Sequence, residues 1–396
     1  MSKNLVENNL FKCKGLPDFK KFTPEKITAE FPILLEEIEK EFKDFETSLK
    51  DCSKTQELRW ETIMTPISNV NEKLRWSWGV INHLNSVNNS ESLRTVYSNF
   101  LPSVISLGNK FGQSKLIYLA LKELRERGQL DQIKNRILDK EILDMEHSGI
   151  SLGRRDQEEF NNISERLGEL STKFSNNILD STNKWFLILG EDSQTEGLPE
   201  RVKELMALAA KKHLNLTGDC NPTKGPWKLG LDAPTYSAFM TYSENRSLRE
   251  ELYKAFVSRA SNGHIDNNPI IEEILSLRLK QANLIGYKNW AELSLSTKMA
   301  GQIKNVEKLL EELRGPAFST AEFELSKLKS FARKNGFHVD DEIQPWDINY
   351  WAEKFKQKTL NLDQEALRPW FPLNDVLQGL FNLSEKLFDI KVVEAT

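Results

Sequence analysis

Among the 396 residues, groups able to do chemistry are scattered. His338-Val339-Asp340-Asp341-Glu342 sets one imidazole beside three carboxylates, the nearest approach to a metal cluster. A zinc site needs several convergent ligands of fixed geometry, and the preceding Asn335-Gly336 puts this segment on a turn, so a solvated acidic loop is expected. Trp346, Asp347 and Tyr350, with Trp351 beside them, are candidate substrate-binding residues, because clustered aromatic faces can grip a ligand. The competing reading of the same residues is a helix–helix core. Cys13, Cys52 and Cys220 are odd in number, far apart and in no C-x-x-C pair, so no disulfide framework is expected and a reducing compartment fits; Cys52 and Cys220 also lack a nearby lysine or histidine pattern, so a nucleophilic thiol is not expected. The chain holds no phosphate-cradling glycine loop and no G-x-S-x-G elbow. Arg154-Arg155, followed by Asp156, Glu158 and Glu159, reads as a helix start rather than an anion site, and His83 and Asn85 read as capping groups for a helix after Ser90.

The elements that must position these residues are predominantly helical. With 39% hydrophobic and 28% charged residues, 21 Phe and 9 Trp but only 19 Gly and 14 Pro, the composition predicts a mainly α protein with a sizeable core. The net charge of −4, with both signs interspersed, leaves no basic stripe for nucleic acid. Apolar runs such as Leu205 to Ala210 fall far short of the ~20 residues of a membrane helix. No apolar stretch near the start could serve as a signal-peptide core, and a cytoplasmic protein is expected.

Residues 1–33 carry Gly15, Pro17, Pro24 and Pro32 and read as an arm laid over a later surface. Leu35, Ile38, Phe42 and Phe45 then mark an amphipathic helix; another is expected around residues 71–81, and a third from Ser90 through Leu107 with Pro102 kinking or dividing it. Phe160, Ile163, Leu167, Leu170, Phe174 and Ile178 form a near-heptad stripe on a long helix from Arg154. The segments Trp185 to Leu189 and Trp227 to Leu231 are expected to pair as a β-ribbon, separated by a helix-like stretch holding Leu205, Leu208 and Ala209. Ser247-Leu248-Arg249-Glu250 has the form of a capping box and should start a helix. Asn268-Pro269 should start the next, with Ile271, Ile274 and Leu275 on one face and Gly286 ending it. Val306 to Leu313 leads into Gly315-Pro316, where a kink or stop is expected, and the pattern resumes through Phe331. A helix over residues 377–388 precedes Ile390-Lys391-Val392-Val393, which reads as an opening strand, so a chain cut inside a domain is expected.

Several blocks resemble the oligopeptidase A and thimet oligopeptidase family of zinc metallopeptidases. These include Gly15-Leu16-Pro17-Asp18-Phe19, His83-Leu84-Asn85-Ser86-Val87-Asn88-Asn89-Ser90 and Phe174-Ser175-Asn176-Asn177-Ile178-Leu179-Asp180. Met240-Thr241-Tyr242, Leu248 to Ala255, Asn268 to Leu275, Thr297-Lys298-Met299-Ala300 and Gln344-Pro345-Trp346-Asp347-Ile348 continue in the family's order. The resemblance implies a mainly α, long-helix fold with a minor β-ribbon, whose two halves face each other across a deep channel that admits only short peptides. Catalysis in that family uses H-E-x-x-H on one helix to hold zinc, with the glutamate as general base on the zinc-bound water. None of the histidines here, His83, His147, His213, His264 and His338, has a second histidine four residues away, so no catalytic or metal residue carries over.

The resulting expectation is an arm at 1–33, a helical domain at 34–150, and an incomplete peptidase domain at 151–396 truncated before the zinc-site helices. The complete form would hydrolyse internal bonds of short peptides with zinc, and this chain alone would be inactive and bind no stoichiometric zinc. The alternative is a non-catalytic helical peptide-binding module. Short peptides are the expected partners, with neither nucleic acid nor membrane.

Overall fold

The computed structural model describes residues 10–12, 15–55, 58–128, 130–217, 221–338, 342–362 and 364–394. Cys13, Cys220, Val339, Asp340 and Asp341 lie outside them, as does the side chain of Cys52. The described chain is mainly α-helical. In order it forms α1 (Pro24–Thr55), α2 (Trp60–Val87), α3 (Glu91–Gly112), α4 (Lys115–Glu126), α5 (Gln132–His147), α6 (Arg154–Lys184), β1 (Phe186–Leu189), α7 (Glu200–Leu214), β2 (Trp227–Gly230), α8 (Ala233–Tyr242) and α9 (Arg246–Val257). There follow β3 (Ser261–Asn262), β4 (Ile265–Asp266), α10 (Asn268–Leu284), α11 (Trp290–Leu295), α12 (Ile303–Lys334), α13 (Pro345–Leu360), α14 (Gln364–Leu367) and α15 (Leu373–Phe388). Two compact units share the chain, one made of Met1–Asn176 and Asn267–Glu307, the other of Asn177–Asp266 and Lys308–Thr396.

In the first unit, Ile27, Phe31, Leu34, Ile38, Phe42, Phe45 and Leu49 recur every three or four residues along α1, and all are buried. Each such side chain contributes about 1.5–3 kcal/mol of hydrophobic free energy on leaving water. Helix α1 begins at Pro24, inside the stretch read as an arm: proline at a first helical position lacks only an N–H that would have had no partner there. Pro32 then lies within the helix. Ahead of it, Phe11 and Phe22 are buried against the same core, with ring centroids 5.4 Å apart in an edge arrangement. Helix α3 runs unbroken past Pro102, and its N-cap is Ser90, whose hydroxyl accepts from the Leu93 N–H at 3.2 Å. His83 and Asn85 instead lie in the last turns of α2. Helix α10 buries Ile270, Gln281 and Ala282, while the expected face holding Ile271 and Leu275 is exposed. Its Gln281 side chain donates to the Ser164 hydroxyl of α6 at 2.9 Å, and Gly286, at φ +89°, follows its C-cap.

In the second unit the anticipated ribbon forms, with β1 antiparallel to β2 and Leu187 opposite Leu229. Leu189, Trp227 and Leu229 pack with Val202, Met206 and Ala207 of α7. The buried face of α7 is therefore Val202, Met206, Ala207 and Ala210, whereas Leu205 and Leu208 point to solvent. Helix α12 passes through Pro316 without a break. That stretch is exposed, so the carbonyl left unpaired four residues earlier turns to water. Residues 390–394 form no strand, since no ladder partner is present among the described residues. Leu309, Leu310, Leu313, Phe318 and Phe323 along α12 stand exposed, as do Val376, Leu377, Leu380, Leu383 and Leu387 along α15. No described helix is long and apolar enough to cross a membrane.

Candidate functional site

The candidate residues Trp346, Asp347 and Tyr350 occupy the first two turns of α13, in the second unit. Pro345 opens this helix, and Asp347, at its third position, reaches back to accept the Gln344 N–H at 3.1 Å. Helix α9, which faces it, starts one residue before the expected capping box. Asn245 is its N-cap, accepting the Leu248 N–H at 3.0 Å, and Ser247 lies inside the first turn.

The first turns of α9 carry two arginines that converge on Asp347. Arg246 donates through Nε at 3.0 and 3.2 Å and through Nη2 at 2.9 Å, and Arg249 donates through Nη2 at 3.0 Å. The remaining donors of Arg249 go to backbone carbonyls, Nη1 to Ser243 at 2.7 Å and Nε to Trp346 at 3.0 Å. Its guanidinium lies 4.3 Å from the centroid of the Tyr350 ring. Asp347 has no exposure and Arg249 has 2%. Burial pushes the Asp347 carboxyl up, but the bonds from Arg246, the Gln344 N–H and Arg249 outweigh it and hold its pKa below the usual carboxylate range. Burial lowers the pKa of Arg249, opposed by Asp347.

This arrangement brings all three candidates together and gives each a distinct position. The Asp347 oxygens are taken up by donors of the chain itself, so this carboxylate ties α9 to α13. The Trp346 ring is half-buried, 5.8 Å from Tyr253, and its indole N–H is buried without a hydrogen-bond partner. Tyr350 is also half-buried, between Arg249 and Lys354.

Arg246 and Arg249 escaped the sequence reading because they lie 101 and 98 residues from Asp347, and no local pattern announces so distant a pair. A second feature also lay beyond it. Helices α12 and α13 enclose a groove of about 590 Å³, lined by Leu325 and Leu328 from α12 and by Ile348, Ala352 and Phe355 from α13, with Glu324 and Lys327 at its edge. Its volume and apolar wall suit a side chain of an extended ligand.

Among the described residues no group of three or more His, Cys, Asp or Glu is placed to hold a metal ion. The ion-paired Asp347 offers no free oxygen for one, so the described residues of this site do not fit a zinc ion.

The segment 239–396, which contains this site, matches the model of peptidase family M3, and residues 31–157 match that of the neurolysin/thimet oligopeptidase N-terminal domain. The chain is 37% identical to the probable cytosolic oligopeptidase A of Arabidopsis thaliana, over 99% of this chain and 55% of that protein. It is 36% identical to the organellar oligopeptidase A of chloroplasts and mitochondria from the same plant, over 99% of this chain and 48% of that protein. It is 35% identical to oligopeptidase A of Escherichia coli strain K12, over 98% of this chain and 56% of that protein. The chain thus spans about half the length of the curated relatives it matches. These agreements extend from the first helices through α13 and beyond it, and by them the chain belongs to peptidase family M3, alongside the oligopeptidase A proteins.

Proposed function

We propose that this chain supplies part of an oligopeptidase A-type zinc peptidase that hydrolyses internal bonds of short peptides. The observation that carries this reading is the likeness, over nearly the whole chain, to proteins named oligopeptidase A. In this reading residues 1–396 contribute peptide-binding surface, with the α12–α13 groove taking a side chain and the Trp346 and Tyr350 rings lying along the peptide. The zinc and its activated water then belong to residues outside these 396, because no two of the five histidines stand four apart. A cytoplasmic location is part of the proposal and draws on the relative described as cytosolic.

Two measurements test it. The source gene, read past codon 396, is expected to encode H-E-x-x-H, in the same frame or after a shift; a genuine stop with no such motif overturns the peptidase reading. The purified chain is expected to leave a quenched fluorescent peptide intact and to bind no stoichiometric zinc, so chelator-sensitive cleavage would refute the division of labour. The apolar groove also favours a second reading, a peptide-binding module without chemistry. Saturable quenching of tryptophan fluorescence by an uncleaved peptide, together with a true stop at codon 397, would support that one instead.

A further inference from the structure

Apart from the peptidase reading, the first unit contains a cavity of about 370 Å³ inside its helical bundle. Phe42 of α1, Phe111 of α3, Leu121 of α4 and Met145 of α5 form part of its apolar wall, and the Phe42 and Phe111 rings lie 4.4 Å apart. Glu141 and Asp144 of α5 line it too. Glu141 lies three residues after Leu138 and four before Met145, both buried, so its carboxylate stands on the helix face that packs into the bundle. It is half-buried, while Asp144, one turn further along the same face, is exposed.

Neither carboxylate has a cationic partner among the described residues. Elsewhere in the unit some acids are paired: Lys110 meets Glu39 at 2.7 Å, and Arg166 meets Glu273 at 2.6 Å. A half-buried acid facing apolar rings without a partner is costly. Burial pushes the Glu141 carboxyl up, the Asp144 charge adds to this, and Lys140 opposes it.

We infer that this cavity binds a small organic ammonium, its aromatic or branched-alkyl body among Phe42, Phe111 and Met145 and its charge against Glu141 and Asp144. The apolar wall buries the body, and the ammonium supplies Glu141 and Asp144 with the counter-charge that the chain itself does not. The cavity's size lies within the range of ligand sites and admits a single-ring amine. A free amine and the N-terminal aromatic residue of a peptide share this chemistry.

The test is calorimetric titration of the whole chain with phenethylammonium, with the isosteric neutral 2-phenylethanol, and with phenylalanyl-alanine amide. Saturable one-to-one binding of phenethylammonium is expected, at least tenfold tighter than that of the alcohol, and Glu141→Gln is expected to remove that advantage. Gly108→Leu is a second variant: Gly108 lines the cavity from helical α3 with open space where a Cβ would stand, so the new side chain enters the mouth and abolishes binding of both ligands. Leucine also favours the helix over glycine, which keeps this variant folded. Binding of the dipeptide amide as tight as that of the amine assigns the site to peptide N-termini, and its exclusion assigns the site to free amines. The inference is overturned if phenethylammonium fails to bind, if the alcohol binds equally, if the tenfold preference survives Glu141→Gln, or if binding survives Gly108→Leu in a protein that melts cooperatively.

Discussion

Asp347 and Glu141 are both carboxylates on the packed face of a helix, and the chain treats them in opposite ways. Asp347 is wholly buried and collects donors from Arg246, Arg249 and the Gln344 N–H. Glu141 is half-buried, beside a cavity, with no cation against it among the described residues. Burial pushes both pKa values up; at Asp347 the donors reverse the result, and at Glu141 the neighbouring Asp144 reinforces it. The difference separates a joint from a seat. A saturated acid has nothing left to offer a ligand and holds two helices in place, whereas an unsatisfied one carries a cost that a ligand can remove.

The sharpest way to break this comparison is Asp347→Ala. It leaves Arg249 buried and uncompensated, and a loss of about 3–5 kcal/mol in urea-unfolding free energy is expected. A loss under about 1 kcal/mol would mean that Asp347 is no joint. Glu141→Leu should act in the other direction, raising stability by about 0.5–2 kcal/mol as it removes an unpaired charge and fills space. Destabilisation there would show that Glu141 has a partner in solution.

The pH dependence should also differ in sign. Asp347 is depressed on folding, so its contribution is present above the ordinary aspartate value of about 3.9 and is lost as pH falls through its lower folded value. Glu141 is raised on folding, so its cost is absent below the ordinary glutamate value of about 4.3 and grows as pH rises through the window up to its folded value. In urea melts from pH 3 to pH 7, the advantage of Glu141→Gln over wild type should therefore appear on going up in pH and then level off. The deficit of Asp347→Asn should instead shrink at the acid end. Smaller still, Ser90→Ala at the cap of α3 should cost about 1 kcal/mol. The exposed pair Lys354–Glu244, at 3.3 Å, should yield less than about 0.5 kcal/mol on Lys354→Ala.

What could be read from sequence follows the range of the interactions involved. The stripe containing Phe160, Ile163 and Leu170 and the pairing of residues 186–189 with 227–230 are signalled by local periodicity and composition, and both are present. Helix starts were harder, because several side chains compete to cap the same turn: Asn245 prevails over Ser247. Pro32, Pro102 and Pro316 all sit within continuous helices. A local rule that ends helices at proline does not see the packing and solvation that carry the helix past the missing N–H. On α10 the face holding Ile271 and Leu275 is exposed, since both faces of the helix carry large aliphatic residues and only the tertiary partner decides which is covered. At the candidate site, the aromatic residues and Asp347 were legible from residue type, but the arginines that engage Asp347 were not, as their pairing exists only once α9 and α13 meet.

The uncovered leucines and phenylalanines of α12 and α15 also bear on how the cell would handle this polypeptide. Chaperones and degradative proteases recognise apolar surface of this kind as a mark of incomplete folding, whatever the order of the backbone beneath it. Unless those faces are covered, the abundance of the chain would be set by proteostasis, and its lifetime would report on how quickly a cover arrives.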